Sequence, residues 1–115
     1  MSLNKYSYAI EKFSDACRCL AVGKGDVRSR LYPAFECLIV IAMDPEKNLP
    51  PELAEDFRWV MKQLTRHPEP PHPLGPEWQE GDVKYTLGRI YNKTGARIAS
   101  RIWDIWSTLR IYYQN

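Results

Sequence analysis

The chain has 115 residues, 44% of them apolar and 26% charged, with a net charge of +2. That length suits one domain able to bury roughly two-thirds of its unfolded surface, and the apolar share excludes a disordered chain. No apolar run reaches the ~18–20 residues of a membrane span, the longest being Cys37–Met43, and the N-terminus lacks the apolar stretch of a secretory signal.

The first helix is expected over Asn4–Val22, where Tyr6, Ala9, Ile10, Phe13, Cys17 and Leu20 follow the helical period. Gly23 stands where a left-handed C-cap glycine is expected. Asp26 reads as the N-cap of a second helix, because its carboxylate can accept from the unpaired amides of the first turn. Pro33 lies inside that pattern, which predicts a kink there or a helix to Tyr32 followed by another from Pro33. Leu38–Met43 is apolar on all sides and reads as a central, buried helix. Asp44–Pro51 is turn-rich, and Pro51 fits the first position of a third helix with a stripe of Leu53, Phe57, Val60, Met61 and Leu64.

Residues 67–80 hold five of the nine prolines, so an extended, partly polyproline-like surface loop is expected, pinned to the bundle by Leu74 and Trp78. Gly81-Asp82-Val83-Lys84 repeats the pattern of Gly25-Asp26-Val27-Arg28, either a trace of internal duplication or, as the rest of the two segments does not align, the same helix-start chemistry used twice. From Asp82 to Tyr113 the sequence reads as one long helix with a core stripe of Leu87, Ile90, Thr94, Ile98, Ile102, Ile105, Leu109 and Tyr112. Gly88 and Gly95 suggest a close neighbour, or a bend at 92–95.

Charge is unevenly spread: +2 over residues 1–43, −4 over 44–80 and +4 over 81–115. The acidic middle helix is therefore expected to pack beside the basic last one. The net value alone does not imply nucleic acid. Three cysteines, Cys17, Cys19 and Cys37, sit in apolar helical contexts, which argues against a disulfide framework and for a reducing, cytoplasmic setting.

The long helix carries two candidate features. Arg89, Lys93, Arg97 and Arg101 form a cationic ladder stepping by four, and like charges at that spacing repel, so they call for anions. Helical geometry carries Arg101 towards the core edge, where a guanidinium needs a partner such as Asp15, Glu55 or Asp56. Lys93, Arg97 and Arg101 are the alternative anion or partner site, for a phosphate or an acidic group. Ala96, Ala99 and Trp103 lie away from the core stripe, so they are surplus apolar surface, covered by a second copy of the chain, another protein or the proline-rich loop. The aromatic residues among the arginines also permit a weak reading as a base-stacking surface.

No catalytic, cofactor or metal motif emerges. Cys17 and Cys19 point to opposite sides of a helix, and His67 and His72 lack further ligands nearby. In size and helix count the chain resembles the small all-α HEPN ribonucleases of defence and toxin systems. Their signature is an Arg followed within a short interval by a His on one helix. Here Arg89, Arg97 and Arg101 have no His downstream, and Arg58 precedes His67 by nine residues. The resemblance is confined to the outline.

The expectation is thus a single all-α domain over residues 1–115, a bundle of four to five helices with a long C-terminal helix and a surface loop at 67–80. The expected function is non-catalytic interaction, homodimeric through the C-terminal helix, with no cofactor and no membrane. Nucleic-acid or phosphate binding by the ladder is the first alternative. A ribonuclease-like protein without the Arg/His motif is the second.

Overall fold

Residues 4–114 are described by a computed structural model. They form helices α1 (Ser7–Val22), α2 (Val27–Cys37), α3 (Ile39–Met43), α4 (Pro45–Asn48), α5 (Pro51–Leu64), α6 (Asp82–Leu87) and α7 (Asn92–Tyr112), with a 3-10 turn at Pro76–Trp78. No strand occurs among the described residues, so the fold is all-α. None of these helices is long and apolar enough to cross a membrane. The reading of the N-terminus at Met1–Leu3 lies outside the described residues.

The core is built where α1, α2 and α5 face α7. Phe13, Leu31, Phe57, Leu64, Ile98, Ile102, Ile105 and Leu109 are all fully buried. Phe13 and Phe57 meet edge to face at 5.4 Å, the geometry that the ring quadrupoles favour. Thr94 is only half-buried, and Tyr112 is 76% exposed, so the predicted stripe ends at Leu109. Tyr113 makes the terminal contacts instead: its hydroxyl donates to Glu52, its carbonyl accepts from the Asn4 amide, and its ring meets Tyr6 at 5.4 Å.

Local signals in the first half are met with two corrections. Asp26 caps α2 as expected, accepting from the Ser29 N–H at 3.0 Å. Gly23 is extended rather than left-handed, and the positive φ falls on Gly25, at 84°. Gly23 is needed for space: a Cβ there would lie 2.5 Å from the Cys19 carbonyl oxygen and 2.8 Å from Arg30 Cγ. Arg30 reaches back to donate to the Leu20 carbonyl at 2.7 Å, closing the last turn of α1. The second correction concerns the helix expected to restart at Pro33, because α2 runs through that residue without a break. The carbonyl it leaves without a helical partner belongs to Ser29, an exposed residue that water can reach. The chain breaks later, at Leu38, with φ −105° and ψ 3°.

That break overturns the central-helix reading of Leu38–Met43. Leu38 and Ile41 are buried, but Ile39, Val40 and Met43 are 42, 54 and 79% exposed on the short α3. The turn-rich segment after it contains α4, capped by Asp44, and α5 then starts at Pro51 as expected.

The long C-terminal helix is also divided. It stops at Leu87 and restarts at Asn92, with Tyr91 extended and 84% exposed. Arg28 holds the break open by donating to the Ile90 carbonyl at 3.0 Å. Downstream, α7 runs unbroken through Gly95, and 21 residues at 1.5 Å each make it about 32 Å long. Gly95 marks a close crossing, since a Cβ there would lie 3.0 Å from Val27 Cγ1 and 3.5 Å from Leu31 Cδ1.

Between α5 and α6 the proline-rich loop is extended apart from its 3-10 turn. Leu74 and Trp78 do not pin it, being 65 and 58% exposed. Polar latches hold it instead. The Glu69 carboxylate accepts from the backbone N–H of Glu80 and of Gly81, while the Glu69 N–H donates to Asp82 at 2.9 Å. At the base, the Thr86 hydroxyl both accepts from the His67 N–H and donates to the His67 carbonyl. The shared Gly-Asp-Val pattern gives both α2 and α6 a preceding glycine at positive φ, but only Asp26 caps its own helix, because Asp82 is engaged by the loop.

Candidate interaction face

One face of α7 is left open by the bundle. Side chains advance about 100° per residue along a helix. On that wheel Ile98, Ile102, Ile105 and Leu109 point to the core, whereas Lys93, Ala96, Arg97, Ser100, Trp103 and Asp104 point outwards and are exposed. Trp103 is 53% exposed and leans on Trp106, with ring centroids 4.9 Å apart. Arg110 lies over the Trp106 ring at 5.4 Å. The Trp106 indole N–H is buried without an acceptor, the one such side-chain atom among the described residues.

Beside Trp103, between α7 and α1, is an open hollow of about 300 Å3. Ala96, Ala99, Ser100 and Trp103 form its α7 wall, and Cys17, Leu20 and Ala21 its α1 wall. The small α7 residues leave space, and the lining is mostly hydrocarbon. Cys17 is the deepest of these groups, and burial pushes its thiol up to about 11, so it stays a neutral, apolar part of the wall. The three predicted interface residues therefore do converge, and α1 completes their surface. Sequence periodicity on α7 alone could not supply that second wall.

The three predicted anion-site residues do not act as one group. Arg101 is half-buried, 3.4 Å from the Asp56 carboxylate, and its guanidinium lies 4.6 Å from the Trp59 ring centroid. This is the contact expected between the acidic middle helix and the basic last one. Lys93 and Arg97 remain exposed and make no ion pair among the described residues, and the same holds for Asp104. Arg89, the upper rung of the ladder, sits on α6's side of the break and stacks on Tyr85 at 3.3 Å.

A second cleft, of about 410 Å3, lies between α2 and α6 and includes Arg28, Tyr32 and Lys84. Arg28 is committed to Asp26 and to the Ile90 carbonyl, and Lys84 lies over the Tyr32 ring at 5.5 Å. Among the described residues no three His, Cys, Asp or Glu side chains gather as a metal site. His72 accepts from the Leu74 N–H and stacks on Trp78, and His67 meets Thr86 through its backbone. Cys37 is pushed up to about 11 by burial and by the neighbouring Cys19 thiol.

The chain matches no protein-family model, no curated protein and no solved structure. The geometry of α7 is therefore the basis of the functional reading.

Proposed function

We propose that this chain is a non-catalytic, cytoplasmic interaction protein that forms a homodimer through the outward face of α7. The observation that carries this reading is Trp103. A large aromatic side chain is half-exposed beside an apolar hollow, while small residues next to it leave room for another helix. Aromatic side chains on such surfaces are the usual anchors of protein interfaces. The three free cysteines are in keeping with a reducing compartment.

Trp103→Asp tests it. The substituted side chain points away from the core, so the fold and the helical content should persist. Light scattering on the eluting protein should then show a monomer where the parent chain shows a dimer. A parent chain that is already monomeric at high micromolar concentration, or a variant that stays dimeric, contradicts the reading.

A second reading is binding of nucleic acid or another phosphate-bearing ligand by Lys93 and Arg97. It draws on their exposure without ion-pair partners among the described residues. Phosphate contacts release counterions, so binding of random oligonucleotides should weaken steeply with salt. Absence of binding at low salt removes this alternative.

A further inference from the structure

The outward face of α7 has two flanks, and each is complementary to itself when reversed. Ala96 and Trp103 are seven residues apart on one flank, and Arg97 and Asp104 are seven apart on the other. Seven residues turn a helix through nearly two full turns, leaving the members of each pair about 20° apart in direction and about 10 Å apart along the axis. Ser100 lies between the flanks. The midpoints of both pairs fall within half a residue of it.

A two-fold axis perpendicular to α7 at Ser100 reverses the helix direction and keeps like flanks on the same side. On the first flank each Trp103 then meets the stretch around Ala96 of the other copy, where the hollow of about 300 Å3 is open. On the second flank each Arg97 meets the other copy's Asp104. Neither charge has an ion-pair partner within the described residues. Large meets small and cation meets anion, each twice, as an isologous interface requires. A two-fold axis parallel to the helices would instead set each copy's Ala96–Trp103 flank against the other copy's Arg97–Asp104 flank, leaving those charges without their complements.

We infer that two copies pair antiparallel through α7 about Ser100, with reciprocal Arg97–Asp104 ion pairs and each Trp103 seated over the other copy's Ala96. This rests on the homodimer reading above and fixes its partner, direction and register.

The test is charge reversal. Arg97→Asp alone sets acid against acid at both contacts, and Asp104→Arg alone sets base against base. Each should weaken dimerisation on the order of tenfold at low salt, because two symmetric like-charge contacts replace two attractive ones. The double variant R97D/D104R should recover the parent affinity. Mixing the two single variants should yield a heterodimer tighter than either homodimer, which also shows that both are folded. Single variants that dimerise like the parent, or a double variant that does not recover, overturn the antiparallel register. The Trp103→Asp result then decides separately whether α7 is the interface. A monomeric parent chain overturns both.

Discussion

Gly95 is the point where α7 crosses the start of α2, and its replacement by Ala sets two effects against each other. Within a helix, Ala is favoured over Gly by up to about 1 kcal/mol, because it has less backbone entropy to lose. The new methyl, however, would lie 3.0 Å from Val27 Cγ1, with Arg28 Cγ and Leu31 Cδ1 each at 3.5 Å. The first distance is well inside ordinary van der Waals contact, and Val27 is β-branched with little rotamer freedom in a helix. Relief needs a small shift of α2, and overpacking of this kind costs about 1–3 kcal/mol. The net expectation is destabilisation by about 1 kcal/mol, which for a chain of this size lowers the Tm by roughly 4 °C. Removing the clash from the other side should restore the propensity gain. Gly95→Ala in a Val27→Ala background should therefore be neutral or stabilising, a favourable coupling of about 1 kcal/mol or more. Chemical denaturation of the four proteins in that cycle measures it. If Gly95→Ala stabilises the parent fully and shows no coupling to Val27, α2 and α7 are not in contact there.

Further outcomes follow from the same geometry. Asp56→Ala should cost only about 0.5 kcal/mol, since its ion pair with Arg101 is half-exposed, whereas Arg101→Ala should cost about 1 kcal/mol because stacking on Trp59 is lost too; equal losses in denaturant melts would remove the stacking contribution. Glu69→Ala deletes the acceptor for two backbone N–H groups, so the proline-rich loop should be cut several-fold faster by protease while the melting of the helical core barely moves; unchanged cleavage contradicts the latch. Asp26 is held down to about 2 by its hydrogen bond from the Ser29 N–H and then by Arg28. Its contribution is present above the ordinary value of 3.8 and is lost as pH falls towards about 2, so the parent should lose more stability across that window than Asp26→Asn, which keeps a capping oxygen but cannot titrate. Parallel acid titrations of the two proteins check the difference.

What could be read from the chain was local or periodic. The Ile98–Leu109 stripe, the Asp26 cap and the start of α5 at Pro51 depend on spacing and on one residue's chemistry, and all appear as expected. The break between α6 and α7 was not legible for a physical reason. Ile90 keeps the core phase whether the helix continues or pauses, so periodicity is blind to it. The break is held by Arg28, 62 residues away in sequence. The exposed α3 has the same origin: its side chains are apolar all round, but the turn at Leu38 decides which of them the bundle can cover. In the proline-rich loop, Leu74 and Trp78 have the composition of apolar anchors, while Glu69, an ordinary-looking acid, holds the loop through backbone N–H groups that no side-chain pattern reveals. For the candidate face, Ala96, Ala99 and Trp103 were identifiable from the α7 wheel. The hollow was not, because Cys17, Leu20 and Ala21 belong to a helix that packs alongside only in three dimensions.

Self-association through α7 is the property on which the proposed function depends. Sedimentation velocity of the parent chain across a concentration series measures it. The expected result is a reversible shift from a 13.4 kDa species to one of twice that mass, abolished by Trp103→Asp. A single 13.4 kDa species up to high micromolar concentration contradicts it.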